Sequence, residues 1–97
     1  MAIQSFARRV VEDFFYDGRM PRREGWKSIA SVVQRKLDIL EYAHVLADLR
    51  SPPGKRLEAL KGNLSGFYSI RINQQWRILF RWDGRGPSDV DVVDYHD

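Results

Sequence analysis

Three arginines, Arg71, Arg77 and Arg81, are the side chains in this sequence best suited to bind phosphate. A guanidinium group is planar and forms paired, charge-assisted hydrogen bonds with phosphate oxygens. All three lie in runs where polar and apolar residues alternate, so they should project from one face of a sheet. The alternative is a solvated face whose charges only prevent aggregation. Arg77 argues against that alternative, because it lies on what should be the central strand, a poor place for a merely solubilising charge.

The second chemical feature is the tripeptide Asp94-Tyr95-His96 near the end of the chain. Histidine titrates near neutral pH and can act as acid or base. If the last strand pairs beside the strand of Arg77, the tripeptide emerges close to that arginine. Alternation alone does not decide whether Tyr95 or His96 faces the arginines. The positions of Val90 and Val92 favour Tyr95, and a β-bulge would reverse this. The alternative is a disordered polar chain end.

The charge of the chain is unevenly distributed. The net charge is +3 over 97 residues, but the segment 50–81 has a balance of +6. Its only acid is Glu58, and Lys55, Arg56 and Lys61 are expected at the rim of the arginine face. A positive block on one sheet face is the electrostatic signature of a nucleic-acid-binding surface.

A metal-dependent nuclease would need converging carboxylates, and Asp89, Asp91 and Asp94 are the candidates. Carboxylates on one strand can hold magnesium. Alternation, however, places Asp91 and Asp94 on opposite faces, and no acid elsewhere clearly converges with them. His44 is interpreted as a packed or capping residue rather than a ligand. The sequence therefore disfavours a metal site.

The elements that position these residues follow from periodicity. Alternating runs predict strands around residues 68–73 and 76–82, joined by a short link as an antiparallel hairpin. A turn at residues 83–88 leads to a third strand from Val90. The apolar face consists of Tyr68, Ile70, Ile72, Trp76, Ile78, Phe80 and Trp82.

Two helices are predicted before the sheet. Residues 2–5 are interpreted as a short edge strand, and Ser5 as the cap of a first helix that ends at Gly18. A longer apolar stripe predicts a second helix from Trp26 to Leu46 or Ala47. Helices grouped on one face of an antiparallel sheet define an α+β fold.

The totals indicate one domain, residues 1–97. The chain has no cysteine, so a disulfide framework and a thiolate metal site are excluded. No signal peptide is recognisable, and no apolar run approaches the ~20 residues that span a membrane. We therefore expect a cytoplasmic protein with no membrane partner. The tryptophans are expected in the core.

These residues together resemble the HigB toxins of the RelE/ParE toxin–antitoxin superfamily, and the similarity extends from Ser5 to His96. The motifs that carry it are Arg50-Ser51-Pro52-Pro53-Gly54, Arg56-Leu57-Glu58, Leu60-Lys61-Gly62-Asn63, Tyr68-Ser69-Ile70-Arg71-Ile72-Asn73, Gln75-Trp76-Arg77 and Val93-Asp94-Tyr95-His96. The Gln-Trp-Arg strand and the terminal Asp-Tyr-His are the most specific of them.

The resemblance implies a fold of two N-terminal helices on a small twisted antiparallel sheet. It implies ribosome-dependent cleavage of mRNA in the decoding site without metal or other cofactor, and a HigA-like helix-turn-helix antitoxin as partner. The catalytic residues it implies are Lys61, Arg77, Asp94, Tyr95 and His96. The residues expected to bind mRNA or ribosomal RNA are Lys55, Arg56, Arg71, Asn73 and Arg81.

One departure from the family pattern concerns the general base. Some members have a histidine three residues before the lysine, where this chain has Glu58. Two other functions stay open at this point: a gyrase poison of the ParE type, which the Tyr95-His96 pair disfavours, and a binding module of the same fold without activity.

Overall fold

The structure, a computed structural model, describes residues 2–50 and 57–95, and within them two α-helices precede a four-stranded antiparallel sheet. The α-helices are α1, Arg9–Asp17, and α2, Ala30–Tyr42. The strands are β1, Glu58–Ala59, β2, Phe67–Arg71, β3, Trp76–Asp83, and β4, Gly86–Asp94. Short 3₁₀ turns lie at Gly25–Ile29, Leu46–Arg50 and Gly62–Leu64. The predicted α+β class is confirmed.

The sheet has the strand order β1-β2-β3-β4, so β3 is an inner strand. β2 and β3 form the predicted hairpin, in which Ile70 pairs with Ile78 and Arg71 with Arg77. Because side chains alternate between the two faces of a strand, these pairs lie on opposite faces. Ile70, Ile78 and Phe80 are 0% exposed and form the core with residues of both helices. The arginines therefore lie on the face away from the helices.

The predicted cap of the first helix is wrong. α1 begins after Arg8, and no side chain caps it. Ser5 lies in a segment that runs along β4, where its hydroxyl accepts a hydrogen bond of 2.9 Å from the N–H of Asp89. The predicted edge strand is not a regular strand, but the segment does lie along the edge of β4. It forms one parallel bridge, Phe6 with Val90, and three backbone hydrogen bonds to β4. The predicted end of the first helix is confirmed. Gly18 follows α1 with a left-handed φ of 69°, and its N–H donates to the carbonyl oxygens of Asp13 and Phe14 in the last turn.

The second helix is shorter than its apolar stripe. α2 ends at Tyr42, and Ala43 is extended with ψ 133°. The Asp48 carboxylate accepts hydrogen bonds from the N–H groups of His44 and Val45, at 2.9 and 3.2 Å, and so begins a separate 3₁₀ turn. The His44 residue is exposed, so the packing role predicted for it is wrong. Of the tryptophans, Trp26 is fully buried and Trp76 and Trp82 pack at the edge of the core.

An ionic network built on Arg8 joins the N-terminal segment, the loop before α2 and β4. Arg8 Nε bonds Asp91 Oδ1 at 2.8 Å, and its Nη2 lies 2.9 Å from Glu24 Oε1. The Trp26 indole N–H donates to the same Glu24 oxygen at 3.0 Å. The hydrogen bond from Arg8, with that from Trp26, lowers the pKa of Glu24 below the ordinary value of 4.5. The network therefore stabilises the ionised carboxylate in the folded state.

No helix among the described residues combines the length and the apolar character that crossing a membrane requires.

Replacing Glu24 by Gln should lower the free energy of unfolding at pH 7 by roughly 1–2 kcal/mol, because a charge-assisted bond to Arg8 is lost. A carboxylate whose folded-state pKa is depressed stabilises the fold above its unfolded pKa, and this contribution disappears as the pH falls through the folded value. Wild type should therefore lose more stability than Glu24→Gln between pH 7 and pH 3. Urea unfolding at both pH values measures this, with the exposed Glu12→Gln as control. Equal pH dependence of wild type and Glu24→Gln would contradict it.

Candidate functional site

Arg77 lies at the centre of the candidate site. It is on β3, paired with Arg71 of β2 on one side and Val93 of β4 on the other. Its side chain is 11% exposed, which is unusual for an arginine on a sheet face away from the core. Two side chains account for this burial. The Tyr95 ring centroid lies 4.9 Å from Arg77 Cζ, and Glu58 Oε1 lies 3.2 Å from Arg77 Nη1.

The pairing of Arg71 with Arg77 makes the face electrostatically unfavourable in isolation. Like charges directly opposite each other on adjacent strands repel, since their Cβ atoms are only ~5 Å apart. Arg71 Nε donates a hydrogen bond of 3.1 Å to the Asn73 carbonyl oxygen. The Glu58 carboxylate partly neutralises the charge of Arg77. The arrangement therefore favours binding of a further anion between the two arginines.

The terminal strand places Tyr95 over Arg77, on the side that alternation predicts. The Tyr95 N–H donates to the Gln75 carbonyl at 2.8 Å, which fixes the chain one residue beyond β4. Asp94 pairs with Trp76 across the strands and accepts a hydrogen bond of 3.0 Å from Gln75 Nε2. Asp94 and Tyr95 therefore start from opposite faces of the sheet edge. His96 lies outside the described residues.

Two further predicted residues, Lys61 and Arg81, lie among the described residues. Lys61 is exposed and immediately precedes the 3₁₀ turn Gly62–Leu64, while its neighbour Leu60 is buried. Arg81 stacks on the Phe67 ring at 4.2 Å and lies 3.4 Å from Asp89 Oδ2. Lys55 and Arg56 lie outside the described residues.

Asn73 has a structural task in the turn between β2 and β3. Its Oδ1 accepts hydrogen bonds from the N–H groups of Gln75 and Trp76, at 2.8 and 2.7 Å. An Asn side chain that bonds the backbone two and three residues on is a common way to close a tight turn. The acceptor that was expected to contact RNA is thus already used to position the strand of Arg77.

Glu58 is the contact that sequence reasoning did not anticipate. In the sequence, Glu58 stands out only because some family members have a histidine there. In the structure, its carboxylate is the ion-pair partner of Arg77. The available signal was that Glu58 is the only acid in the basic segment 50–81. Directly across from Glu58, Ser69 is 0% exposed, and its hydroxyl has no hydrogen-bond partner among the residues that the structure describes.

The three aspartates of the metal alternative do not converge. Asp89 contacts Arg81, Asp91 contacts Arg8 and Asp94 contacts Gln75. Over residues 2–50 and 57–95, no group of three or more His, Cys, Asp or Glu side chains is arranged to hold a metal ion.

Solved toxin structures share this architecture. The YoeB–YefM toxin–antitoxin complex from Staphylococcus aureus contains a chain that is 25% identical, with a TM-score of 0.58, over 100% of this chain and 98% of that chain. The YoeB dimer from the same organism has 24% identity and a TM-score of 0.58, over 100% of this chain and 98% of that chain, and supports the fold alone. The helices, the sheet and its open face thus define a RelE-like toxin fold.

Sequence comparison identifies the family within that class. The family model HigB-like toxin, described as a RelE-like toxin of the type II toxin–antitoxin system HigB, matches residues 4–96. Toxin HigB-1 of Vibrio cholerae serotype O1 is 44% identical over 82 residues, which are 84% of this chain and 84% of that protein. The chain belongs to the HigB-like family of type II toxins, and its partners therefore include an antitoxin.

Replacing Asn73 by Ala should lower the free energy of unfolding by roughly 1–3 kcal/mol, because two backbone N–H groups lose their acceptor. Asn73→Asp keeps an oxygen at the same place and should stay close to wild type. Chemical denaturation of the two variants makes the comparison. If both are as stable as wild type, the turn does not depend on this side chain.

Proposed function

We propose that this toxin is an endoribonuclease that cleaves mRNA on the ribosome without a metal ion and so inhibits translation in the cytoplasm. The observation that carries the proposal is the 11% exposed Arg77 on an inner strand, covered by Tyr95 and paired with Glu58 on the face away from the helices. Family membership supports the same activity. The proposed partners are mRNA, the ribosomal decoding site and a HigA-like helix-turn-helix antitoxin.

The chemistry uses the substrate's own 2′-hydroxyl group. The 2′-oxygen loses its proton and bonds to the adjacent phosphorus, and the bond from phosphorus to the 5′-oxygen breaks. The leaving 5′-oxygen takes up a proton, which yields a 2′,3′-cyclic phosphate and a 5′-hydroxyl end. The protein must hold this geometry in line and stabilise the extra negative charge that develops on the phosphate.

Arg77 stabilises the developing phosphate charge in this proposal. A cation that the fold already holds in place needs no reorganisation during the reaction, which makes such a group effective. The sheet pairing, the Tyr95 ring and the burial of Arg77 supply that preorganisation. Lys61, which is exposed and follows β1 by two residues, shares the task or lowers the pKa of the 2′-hydroxyl.

Proton transfer is assigned to Glu58, Tyr95 and His96. Once the phosphate takes its place on Arg77, the Glu58 carboxylate is released as an acceptor for the 2′-hydroxyl proton, and the buried Ser69 hydroxyl opposite can donate to it. His96 protonates the leaving 5′-oxygen, and Asp94 orients the tail. Tyr95 stacks against a base or assists in proton transfer.

The other basic residues bind the RNA backbone. Arg71 and Arg81 lie on the same sheet face as Arg77: Arg71 is directly across on β2, and Arg81 is four residues further along β3. Lys55 and Arg56 precede β1 in the sequence. Single-stranded RNA is generally read through splayed bases and 2′-hydroxyl groups, with cations along the phosphates. An open sheet face with aromatic Tyr95 and Phe67 among arginines suits that mode.

Arg77→Ala should reduce ribosome-dependent cleavage by at least ~100-fold, the loss typical for a group that stabilises transition-state charge. Arg85→Ala, an exposed arginine in the turn before β4, should retain activity. Primer extension on ribosome-bound mRNA counts the new 5′ ends. Full cleavage by Arg77→Ala would remove the proposed site. DNA breaks with intact mRNA would instead indicate a gyrase poison.

Glu58→Gln should also lose cleavage, because an amide cannot accept the 2′-hydroxyl proton at neutral pH. Glu58→His should recover part of the activity, with a pH–rate profile shifted toward the titration range of histidine, near 6.5. Single-turnover cleavage on programmed ribosomes between pH 5.5 and 8.5 provides the profile. An unchanged rate in Glu58→Gln would assign proton removal to another group.

A further inference from the structure

The helical side of the molecule carries an arginine-rimmed groove, far along the chain from the residues of the candidate site. It lies between α1 and the loop before α2 and has a volume of about 810 Å³. Its lining residues are Val10, Asp13, Arg19, Met20, Pro21, Arg22, Arg23 and Glu24. Pro21 is buried, so the loop is anchored, while Arg19, Arg22 and Arg23 are exposed.

The acids of this groove already have partners. Glu24 is held by Arg8 and Trp26, and Asp13, whose side chain is 25% exposed, lies 3.9 Å from both Arg9 and Arg19. Arg22 and Arg23 form no ion pair with any residue that the structure describes. The rim therefore presents positive charge that the fold itself does not compensate.

An apolar groove continues from the arginine-rimmed groove. Its volume is about 350 Å³, and it is lined by Phe14, Met20, Ala30, Ser31 and Gln34. Met20 belongs to both grooves and is 49% exposed, a large apolar side chain at the boundary between them. Together the two grooves combine an apolar floor between α1 and α2 with a cationic edge.

We propose that these two grooves form the docking surface for an acidic amphipathic helix of the antitoxin. The inference rests on the proposed toxin function, which supplies the partner, and adds where and through what chemistry that partner binds. An amphipathic helix places an apolar stripe into a groove and carries charges on its flanks. Here the apolar stripe packs on the exposed Met20 and the half-buried Val10, above Phe14 and Ala30, which are only 4% and 8% exposed. Glutamates or aspartates on one flank meet Arg22 and Arg23.

The mixed character of the surface favours a peptide over RNA. A phosphate backbone uses cations but gains little from an apolar groove between helices, whereas a helix with an apolar face buries it. The surface is built from α1, α2 and their connecting loop, while Arg77 projects from the opposite face of the sheet. Antitoxin binding and RNA cleavage should therefore be separable by mutation.

The test measures the dissociation constant between purified toxin and the proposed HigA-like antitoxin, by isothermal titration calorimetry without ribosomes. Arg22→Glu/Arg23→Glu and, independently, Met20→Asp should each weaken binding by at least ~30-fold, the loss typical of interface hot spots. Both changes are at exposed positions, so the fold should be retained. The matched control Arg35→Glu/Arg85→Glu has the same change in net charge and should bind within ~3-fold of wild type.

Wild-type affinity in both groove variants would overturn the proposal. An equal loss of affinity in the control would also overturn it, because the loss would then reflect the net charge of the toxin and not this surface. If the groove variants bind antitoxin normally but lose affinity for ribosomes, the surface is an RNA contact and the proposal is wrong. The proposed cleavage activity is measured separately with the same variants, which should cleave mRNA as wild type does. Absence of cleavage in wild type would contradict the proposed function without changing the binding result.

Discussion

The cross-strand pairing of Arg71 with Arg77 is the constraint on which the open face depends. They are fixed opposite each other because Ile70 and Ile78, one position away on each strand, must lie in the core. Neither arginine can turn inward without burying a charge among apolar side chains, which would cost far more than their repulsion. The core thus maintains a positive site on the outer face, and Glu58 compensates it only in part.

A β-bulge in β4 lies before the stretch that carries the chain end to this site, and the pairing from Asp91 to Asp94 is regular. The register between β3 and β4 shifts between Leu79 and Arg81, and Asp89 adopts φ 51°, which is rare for a residue other than glycine. The bulge is held by the Ser5 hydroxyl on the Asp89 N–H. Because it comes before Val90, the alternation from Val90 onward is unbroken, and Tyr95 reaches the face of Arg77.

Much of the sheet could be predicted from the sequence because alternation with aromatic and branched residues is a direct consequence of one-sided burial. The placement of Arg77 follows from that parity. The placement of Tyr95 also depends on the position of the bulge in β4, which alternation alone does not give. The end of α2 could not be read from periodicity, since the apolar stripe continues past Tyr42 while the Asp48 carboxylate starts a new turn. The tasks of Ser5 and Glu58 depend on strand register and on contacts between residues up to 84 positions apart, which no local pattern contains. The task of Asn73 is local, since its side chain bonds the backbone two and three residues on.

The central claim is that the scissile phosphate replaces Glu58 as the anion on Arg77. A cryo-electron microscopy structure of the toxin on a ribosome programmed with 2′-O-methylated mRNA, which cannot react, tests this directly. The account predicts the phosphate within hydrogen-bonding distance of the Arg77 guanidinium, the Glu58 carboxylate turned toward the blocked 2′-oxygen and the chain end closed over the nucleotide. An intact contact between Arg77 and Glu58, with the mRNA bound on another surface of the toxin, would contradict it.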